Sequence, residues 1–466
     1  MGCYVKTKAI LHCSSEPKTL NRRLYKILGD LEVEIEILDN PFQLPLEALF
    51  QMAARINKKR SFLFVSKVLG KHIPVVPEVS LLSGAALAYL YQKHCGGEII
   101  GDIAEIVRGI VNPQEAAAIY RRVKANLLPI PEPALFIGFA ETATALGHSM
   151  YDAFTGPAKY IHTTRDALVE SGPALTFEEE HSHATAHRCY PSEVDFFRGD
   201  EPVVLVDDEI TTGKTAINII RDLHQKHPRS RYVLASLLDW RSDEDIARFK
   251  ETEAELKVTI DCLSLVRGQI KVGGTAPGLE RRGESAMSKP SKEPQIYHYE
   301  AGRFFSHVPF SSVNSAGEVN TKPYLAFTGR FGLKGTDNEK LDQMISQTAA
   351  LLKSKRAGGK TLCMGTGEFM YIPMRIAAEM GAGVYYQSST RSPIHPFNGA
   401  SYGIKNAYSF DCPDDAEIGY FFYNISEGQY DEIFVFVERS HQAGLESYAN
   451  ALKSTGVPAL HFVHFN

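Results

Sequence analysis

The sequence is poor in the features that would point at once to a membrane, an extracellular or a nucleic-acid-binding role. Its seven cysteines (Cys3, Cys13, Cys95, Cys189, Cys262, Cys363 and Cys412) are scattered and never form a C-x-x-C pair. That pattern fits a reducing cytoplasm better than a disulfide framework. No apolar run approaches the ~20 residues of a membrane span, and the most apolar helix candidate, Leu81 to Tyr91, falls far short. The opening stretch MGCYVKTKAILHCSSEPK has apolar runs too short and broken for a secretory leader. Its Met-Gly start lacks Ser or Thr at the sixth position, so the myristoylation pattern fails as well. Basic charge is not in excess: the net charge is −5 and the pI 6.4, which argues against a dedicated nucleic-acid binder. A soluble cytoplasmic protein is expected, with neither nucleic acid nor membrane as partner.

What is present is an ordinary globular composition, 44% hydrophobic over 466 residues. That length exceeds the ~250–300 residues at which a single core stops growing, so two or more domains are expected. Near the start, Leu46, Leu49, Phe50, Ala53 and Ile56 recur at helical spacing. A strand over Ser61–Val65 and a helix over Leu81–His94, stopped by Gly96-Gly97, are expected next. From about residue 133, apolar strands alternate with helices, the signature of parallel strands joined by crossovers. Strands are expected at Leu135–Ile137, Tyr160–His162, Val203–Val206 and Tyr232–Leu238, with helices over Thr142–Tyr151 and Thr215–His224. The Gly-, Pro-, Ser- and Lys-rich stretch Gly273–Pro294 reads as a linker. A second α/β stretch follows, with strands near Tyr324–Phe327, Thr361–Met364, Val384–Gln387 and Ile433–Val437.

The stretch that carries chemistry is Val203 to Thr215, VVLVDDEITTGKT. Four apolar residues make a buried strand. Asp207 and Asp208 stand at its carboxyl end, where open α/β sheets place their ligands. The turn Thr211, Thr212, Gly213, Lys214, Thr215 then opens a helix and offers backbone N–H groups and hydroxyls to an anion. The two carboxylates suit vicinal hydroxyls of a sugar, and their charge favours an oxocarbenium-like centre. A nucleotide P-loop ending in Gly213-Lys214-Thr215 would need glycine at 208, where aspartate stands.

These thirteen residues resemble the signature of type I phosphoribosyltransferases, which bind 5-phosphoribosyl-1-pyrophosphate (PRPP); they depart from it at Glu209, where a small or apolar residue is usual. The resemblance implies a parallel-sheet α/β fold and a reaction in which PRPP gives its ribose 5-phosphate to a base-like acceptor and releases pyrophosphate. It implies that Asp207 and Asp208 hold the ribose hydroxyls, that Thr211–Thr215 hold the 5′-phosphate, and that Mg²⁺ enters with PRPP without a firm protein ligand. Gly138, Phe139, Ala140, Glu141 and Thr142, after the Leu135–Ile137 strand, take the place of the pyrophosphate loop. Arg165, after Tyr160–His162, takes that of a cation near the pyrophosphate. The His-rich segment between them and the Asp-Asp turn, with His181, His183, His187 and Arg188, takes that of a mobile lid. His181, His183, His187 and Cys189 are also suitable zinc ligands, though no second ligand pair stands nearby. Lys67 and Lys71, just after a strand, are placed to line the acceptor or phosphate side or to be solvated.

The C-terminal half repeats this grammar. Cys363 to Glu368 aligns with Phe136 to Glu141, YYQSSTR (385–391) with KYIHTTR (159–165), and Phe434 to Gly444 with Val203 to Gly213. In that last overlay Glu438 matches Asp207 and the second acid becomes Arg439. A degenerate phosphoribosyltransferase-like repeat is expected, with a second-domain site at Gly365, Gly367, Glu368 and Arg391. The tetrad Thr390-Arg391-Ser392-Pro393 resembles the TRSP domain that follows a phosphoribosyltransferase domain in bacterial tellurite-resistance-type gene clusters. That resemblance implies a bacterial biosynthetic role in making a nucleoside-like metabolite.

The expected architecture is a phosphoribosyltransferase domain with N-terminal hood elements over 1–272, a linker or extended segment over 273–322, and a TRSP-like α/β domain over 323–466. Orotate phosphoribosyltransferase proper is an alternative against which the long chain argues. A non-catalytic PRPP-binding regulator or scaffold is another, against which the intact Asp207-Asp208 pair and the lack of a helix-turn-helix argue. The acceptor, a homodimeric state and lid residues supplied by a second subunit stay open.

Overall fold

The computed structural model describes residues 22–55, 61–98, 101–178, 186–275, 293–415 and 417–466. The first sheet takes its strands in chain order as β1 (Arg22–Leu28), β2 (Leu31–Asp39), β3 (Ala134–Gly138), β4 (Ala158–His162), β5 (Val203–Ile210), β6 (Arg231–Asp239) and β7 (Thr259–Gly273). The second sheet is built from β8 (Gln295–Glu300), β10 (Thr361–Gly365), β11 (Val384–Ser388), β12 (Glu432–Val437) and β13 (Ala459–His464), and β9 (Leu333–Lys334) joins the first sheet instead.

In space the first sheet runs β1–β2–β7–β6–β5–β3–β4–β9. Its five central strands, β7 through β4, are parallel, and the flanking strands are antiparallel. The second sheet runs β8–β13–β12–β10–β11 and is parallel throughout. Four consecutive strands therefore recur in one order, β6–β5–β3–β4 and β13–β12–β10–β11. The ladders recur too: Gly138 faces His162 as Gly365 faces Ser388. The repeat read from the sequence is a repeat of topology.

The pairing corrects one overlay. Val203 faces Leu135, and Ile433 faces Leu362, the counterpart of Leu135. The third segment thus slides by one residue, so that Glu438 takes the place of Asp208 and Arg439 that of Glu209. A strand of uniformly buried aliphatic and aromatic residues holds no internal marker of register.

Helices α1 (Pro77–His94), α2 (Ala143–Tyr151), α3 (Lys214–Lys226), α4 (Asp243–Leu256), α5 (Asp337–Lys353), α6 (Tyr371–Glu379) and α7 (Gln442–Lys453) cover the sheets. α1 begins at Pro77, where its missing N–H is harmless, and it is buried from Pro77 to Gln92. The helix expected over 46–56 is a single turn, Leu46–Leu49, after which Phe50–Ala54 becomes a strand paired with Phe62–Ser66. Phe50 turns into the cluster of Phe64 and Trp240, and that packing outweighs local spacing. Two-residue pieces replace the strand expected at Tyr324–Phe327. Within the 273–322 stretch, residues 276–292 lie outside the described residues, but Gln295–Glu300 is an edge strand of the second sheet. Its alternation of Tyr and His against β13 was masked by the polar run before it.

The two halves close each other's edges. β9 comes from the C-terminal half and adds to β4. In return the segment around Gly70–Val75 runs along β11, exchanging both backbone hydrogen bonds between Val75 and Tyr386 (3.0 and 2.7 Å) and accepting one from Ser388 at Gly70 (2.7 Å). Gly70 has φ +65°, and a Cβ there would lie 2.7 Å from the Tyr386 ring, so glycine is required.

Helices α2 and α6, which follow equivalent strands, meet at the center. His148 stacks on Tyr371 with ring centroids 3.6 Å apart. Beside them Asp152 accepts from Tyr371 Oη (2.7 Å), Arg375 (3.1 Å) and Lys124 (2.7 Å), while Arg375 also holds Asp342 (2.7 Å). Arg375 is almost wholly buried, so removing its charge strands carboxylates in a dry interface. Arg375→Met is expected to lower unfolding stability by about 3 kcal/mol, read as a shift of the urea midpoint.

Candidate active site

The crevice of the first sheet opens between β3 and β5, where the chain order reverses direction; open parallel sheets bind ligands at such switch points. Gly138 ends β3. A side chain there would meet Ala143 O at 2.7 Å and Tyr160 Oη at 2.8 Å. The loop that follows is pinned from both sides: Phe139 N–H donates to Val206 O (3.1 Å) and Ala140 N–H to Thr163 Oγ1 (2.8 Å). The Thr163 hydroxyl also shares a hydrogen bond with His187 Nδ1 at 2.9 Å. This polar chain presents the loop from Phe139 to Thr142 in one fixed shape ahead of α2.

On the other side, β5 extends past Val206 to Ile210, so the acids lie within the strand and alternate. Asp207 and Glu209 line a small cavity of about 50 Å³ with Phe139, Thr211, Thr212, Gly213 and Thr215. Asp208 lines another small cavity, with Ser66, Leu69 and Phe64 of the N-terminal segment, and Glu209 borders that one too. Glu209, the departure from the family's pattern, therefore faces the same space as the threonines. Gly213 has φ +72° and immediately precedes α3; a Cβ there would sit 2.4 Å from the Phe249 ring. Its glycine is demanded by α4 packing from behind and by the left-handed turn. Lys214 opens α3 and does not line that cavity.

Two buried glutamates bind the crevice to the other half. Glu141 accepts from Thr390 Oγ1 (3.3 Å) and Arg391 N–H (3.4 Å), and Lys71 Nζ lies 3.3 Å from it. Glu368, its counterpart, accepts from Thr164 Oγ1 (2.6 Å) and Arg165 N–H (2.8 Å). Burial pushes the Glu141 carboxyl up, but Lys71, Arg391 and Arg165 overcome it and hold the carboxyl below its ordinary range. Glu368 goes the other way: burial and the nearby Asp166 raise it, and Arg330 offsets this only in part.

Lys71 is not a solvated lysine. It is 1% exposed and donates to Gly367 O at 3.0 Å. Its role was hidden because its carboxylate partner lies in another element; the one local hint is its place in a Gly-Lys-His turn after an apolar strand. Lys67 donates instead to Glu47 O.

The remaining candidates disperse. His187 is wholly buried beneath Thr163 and stacked on Phe177, so it belongs to the base of the hairpin Leu175–Glu178/Ala186–Cys189. Cys189 is buried, which pushes its thiol up to about 12. His181 and His183 lie outside the described residues. Arg165 and Arg188 line a second cavity, on the C-terminal half, together with Gly367, Glu368 and Arg391. Gly365 lies beneath that cavity, packed against Phe369 O and Tyr386 Oη. Among the described residues no helix is long and apolar enough to cross a membrane.

Residues 49–269 match the family model described as phosphoribosyl transferase. Residues 327–452 match that of the TRSP domain, described as C-terminal to this transferase. Among solved structures the chain is similar to adenine phosphoribosyltransferase from Trypanosoma brucei, with 14% identity and a TM-score of 0.28, over 55% of this chain and 92% of that one. It is similar to the adenine phosphoribosyltransferase of Rhodothermus marinus, with 14% identity and a TM-score of 0.25, over 48% and 96%. A phosphoribosyltransferase from Corynebacterium diphtheriae is similar at 15% identity and a TM-score of 0.19, over 39% and 95%. No curated protein matches the chain.

Two outcomes follow from the electrostatics. Lys71→Met leaves Glu141 buried beside Thr390 without its cation. It is expected to lower stability by about 3–5 kcal/mol, with Lys71→Arg milder, as measured by thermal unfolding. Burial, and then the charge of Glu209, push Asp208 up to about 6. A carboxyl raised in the folded state stabilises the fold below its unfolded pKa, and that contribution is lost as pH rises through about 6. Asp208→Asn should therefore stabilise the ligand-free protein at about pH 8 by roughly 1–2 kcal/mol and have little effect at about pH 4, read from urea midpoints at the two pH values.

Proposed function

Because the chain belongs to the phosphoribosyltransferase family, with a TRSP domain following the transferase domain, we propose that it transfers ribose 5-phosphate from PRPP to a nitrogenous, base-like acceptor in the biosynthesis of a nucleoside-like metabolite. The observation that carries this reading is the crevice at the carboxyl end of β5. There two acids, Asp207 and Glu209, face a threonine- and glycine-rich turn that opens α3.

In the reaction a nitrogen of the acceptor bonds to ribose C1 as the bond from C1 to the pyrophosphate oxygen breaks, and pyrophosphate leaves. The turn Thr211–Thr215 offers N–H and hydroxyl donors to the 5′-phosphate. The fixed loop from Phe139 to Thr142 offers its backbone to the pyrophosphate, with Lys71 behind it supplying positive charge. Asp207, with Glu209 beside it, accepts from ribose hydroxyls and offsets charge developing at C1. On the other face of the strand, Asp208 borders apolar walls of Leu49, Phe64, Leu69 and Leu237, which suit the flat ring of a base. Rate enhancement then comes mainly from positioning and electrostatics.

The donors at the crevice are carboxylate oxygens without a neighboring thiolate, which suits a hard cation brought in by PRPP. Among the described residues no group of three or more ligating side chains is arranged to hold a metal by itself. When bound, Mg²⁺ would neutralise the leaving pyrophosphate, and the carboxylates of Asp207 and Glu209 could serve it as hard oxygen ligands.

Calorimetry with PRPP and Mg²⁺ tests the reading. Wild type is expected to bind and the double variant Asp207→Asn, Asp208→Asn to lose measurable affinity, after which candidate bases are screened by pyrophosphate release. Absence of PRPP binding by wild-type protein would overturn it.

A further inference from the structure

A cavity larger than the crevice of β5 lies in the C-terminal half. It has a volume of about 320 Å³ and lies over the carboxyl ends of β10, β11 and β12. This is the switch point of the second sheet: the chain passes from β10 to β11 on one side and then places β12 on the other. The volume lies within the range of small-molecule sites.

Its walls carry two kinds of polar group. Arg391 is partly buried, and its hydrogen bond from Nε goes to Tyr420 Oη at 3.0 Å. Arg188 donates only to two backbone carbonyls, of Arg165 and Ala186. Among the described residues neither guanidinium has a carboxylate partner, although the same cavity holds several carboxylates. Those are taken elsewhere. Glu438 receives both oxygens' bonds from Arg330 (3.1 and 3.0 Å), and Asp414 lies 3.3 Å from Arg439. Two guanidinium groups are thus held without a direct ion pair, Arg391 feeling Glu141 only at longer range, an arrangement that leaves their N–H donors to an incoming anion. The paired acids keep lone pairs for hydroxyl donors. Glu438, standing at the position that Asp208 holds in the first sheet, is one of them.

We propose that this cavity is a second binding site, for a phosphate ester of a small polyhydroxylated molecule, a sugar phosphate in chemical class. The phosphate lies against Arg188 and Arg391 and the hydroxyls against Glu438 and Asp414. The site joins both halves, since Arg188 comes from the first and Arg391 from the second. It is independent of PRPP use at β5.

The test is calorimetry with ribose 5-phosphate on the full chain carrying Asp207→Asn and Asp208→Asn, which removes the carboxylates that hold the ribose in the first crevice. Saturable binding of one equivalent is expected there. Arg391→Gln and Arg188→Gln, each added to that background, should each weaken it about tenfold or more, and ribose without phosphate should not bind. Arg391→Lys, which keeps the charge, should retain part of the affinity, and unfolding midpoints near that of the background confirm intact folding. Lack of saturable binding in the background, or binding indifferent to both arginine substitutions, overturns the proposal. If the first crevice does not bind at all, wild type and background show the same single equivalent, and the second site stands on its own.

Discussion

Everything at the junction of the two halves depends on an exchange of buried carboxylates. Glu141 leaves the loop after β3, and one of its oxygens accepts from the Thr390-Arg391 turn after β11. Glu368 leaves the loop after β10 and is satisfied by the Thr164-Arg165 turn after β4. Each acid is desolvated, and each draws hydrogen bonds from the other half as well as a cation of its own, Lys71 for Glu141 and Arg330 for Glu368. An ionised carboxyl in such a place is tolerable only when hydrogen-bonded and faced by positive charge, so neither half is electrostatically complete alone. Lys71 adds to this by binding Glu141 and Gly367 O at once. The loops that this network fixes are the same loops that shape both cavities.

The two halves kept different parts of one plan. The first retains tandem acids and a threonine-rich turn behind β5. The second lost that turn and carries at the equivalent strand end Glu438 and Arg439, with Arg439 clamped by Asp414, Ser312 and two carbonyls. Arg330 gathers Glu438, Glu368 and Asp166 around one guanidinium. The second sheet therefore presents guanidinium groups where the first presents a threonine- and glycine-rich turn. Fold is shared while the polar groups at the strand ends differ.

Much of this was legible from the sequence, and the reasons differ by feature. The central parallel strands were readable because apolar runs ending in Gly138, His162 or Asp207 are bounded by clear turn signals. The repeat was readable because Gly138 and Glu141 recur as Gly365 and Glu368 at equal spacing. Register in Glu432–Val437 was off by one, because six buried residues in a row carry no alternation. Leu46 to Ile56 misled because helical spacing of apolar residues also arises when a short turn runs into a buried strand. Lys71 was legible only as a cation after a strand, and the second cavity only through Gly367, Glu368 and Arg391, because the groups that complete them, Glu141 for Lys71 and Arg188 for the cavity, come from other elements. The split of Asp207 and Asp208 to opposite faces required knowing that β5 continues to Ile210.

The short strand β9 has a consequence of its own. Leu333–Lys334 pairs with Tyr160 and Lys159 and so occupies the outer rim of β4, while the Gly70–Val75 segment does the same for β11. A strand rim with unpaired N–H and C=O groups is a template for further strands. A chain ended near the close of the first sheet would bare the rim of β4, and the matching C-terminal fragment that of β11. Each fragment would then offer its neighbors in solution the ladder its missing half normally fills, so the natural fate of the separated pieces is to stack with one another or with themselves.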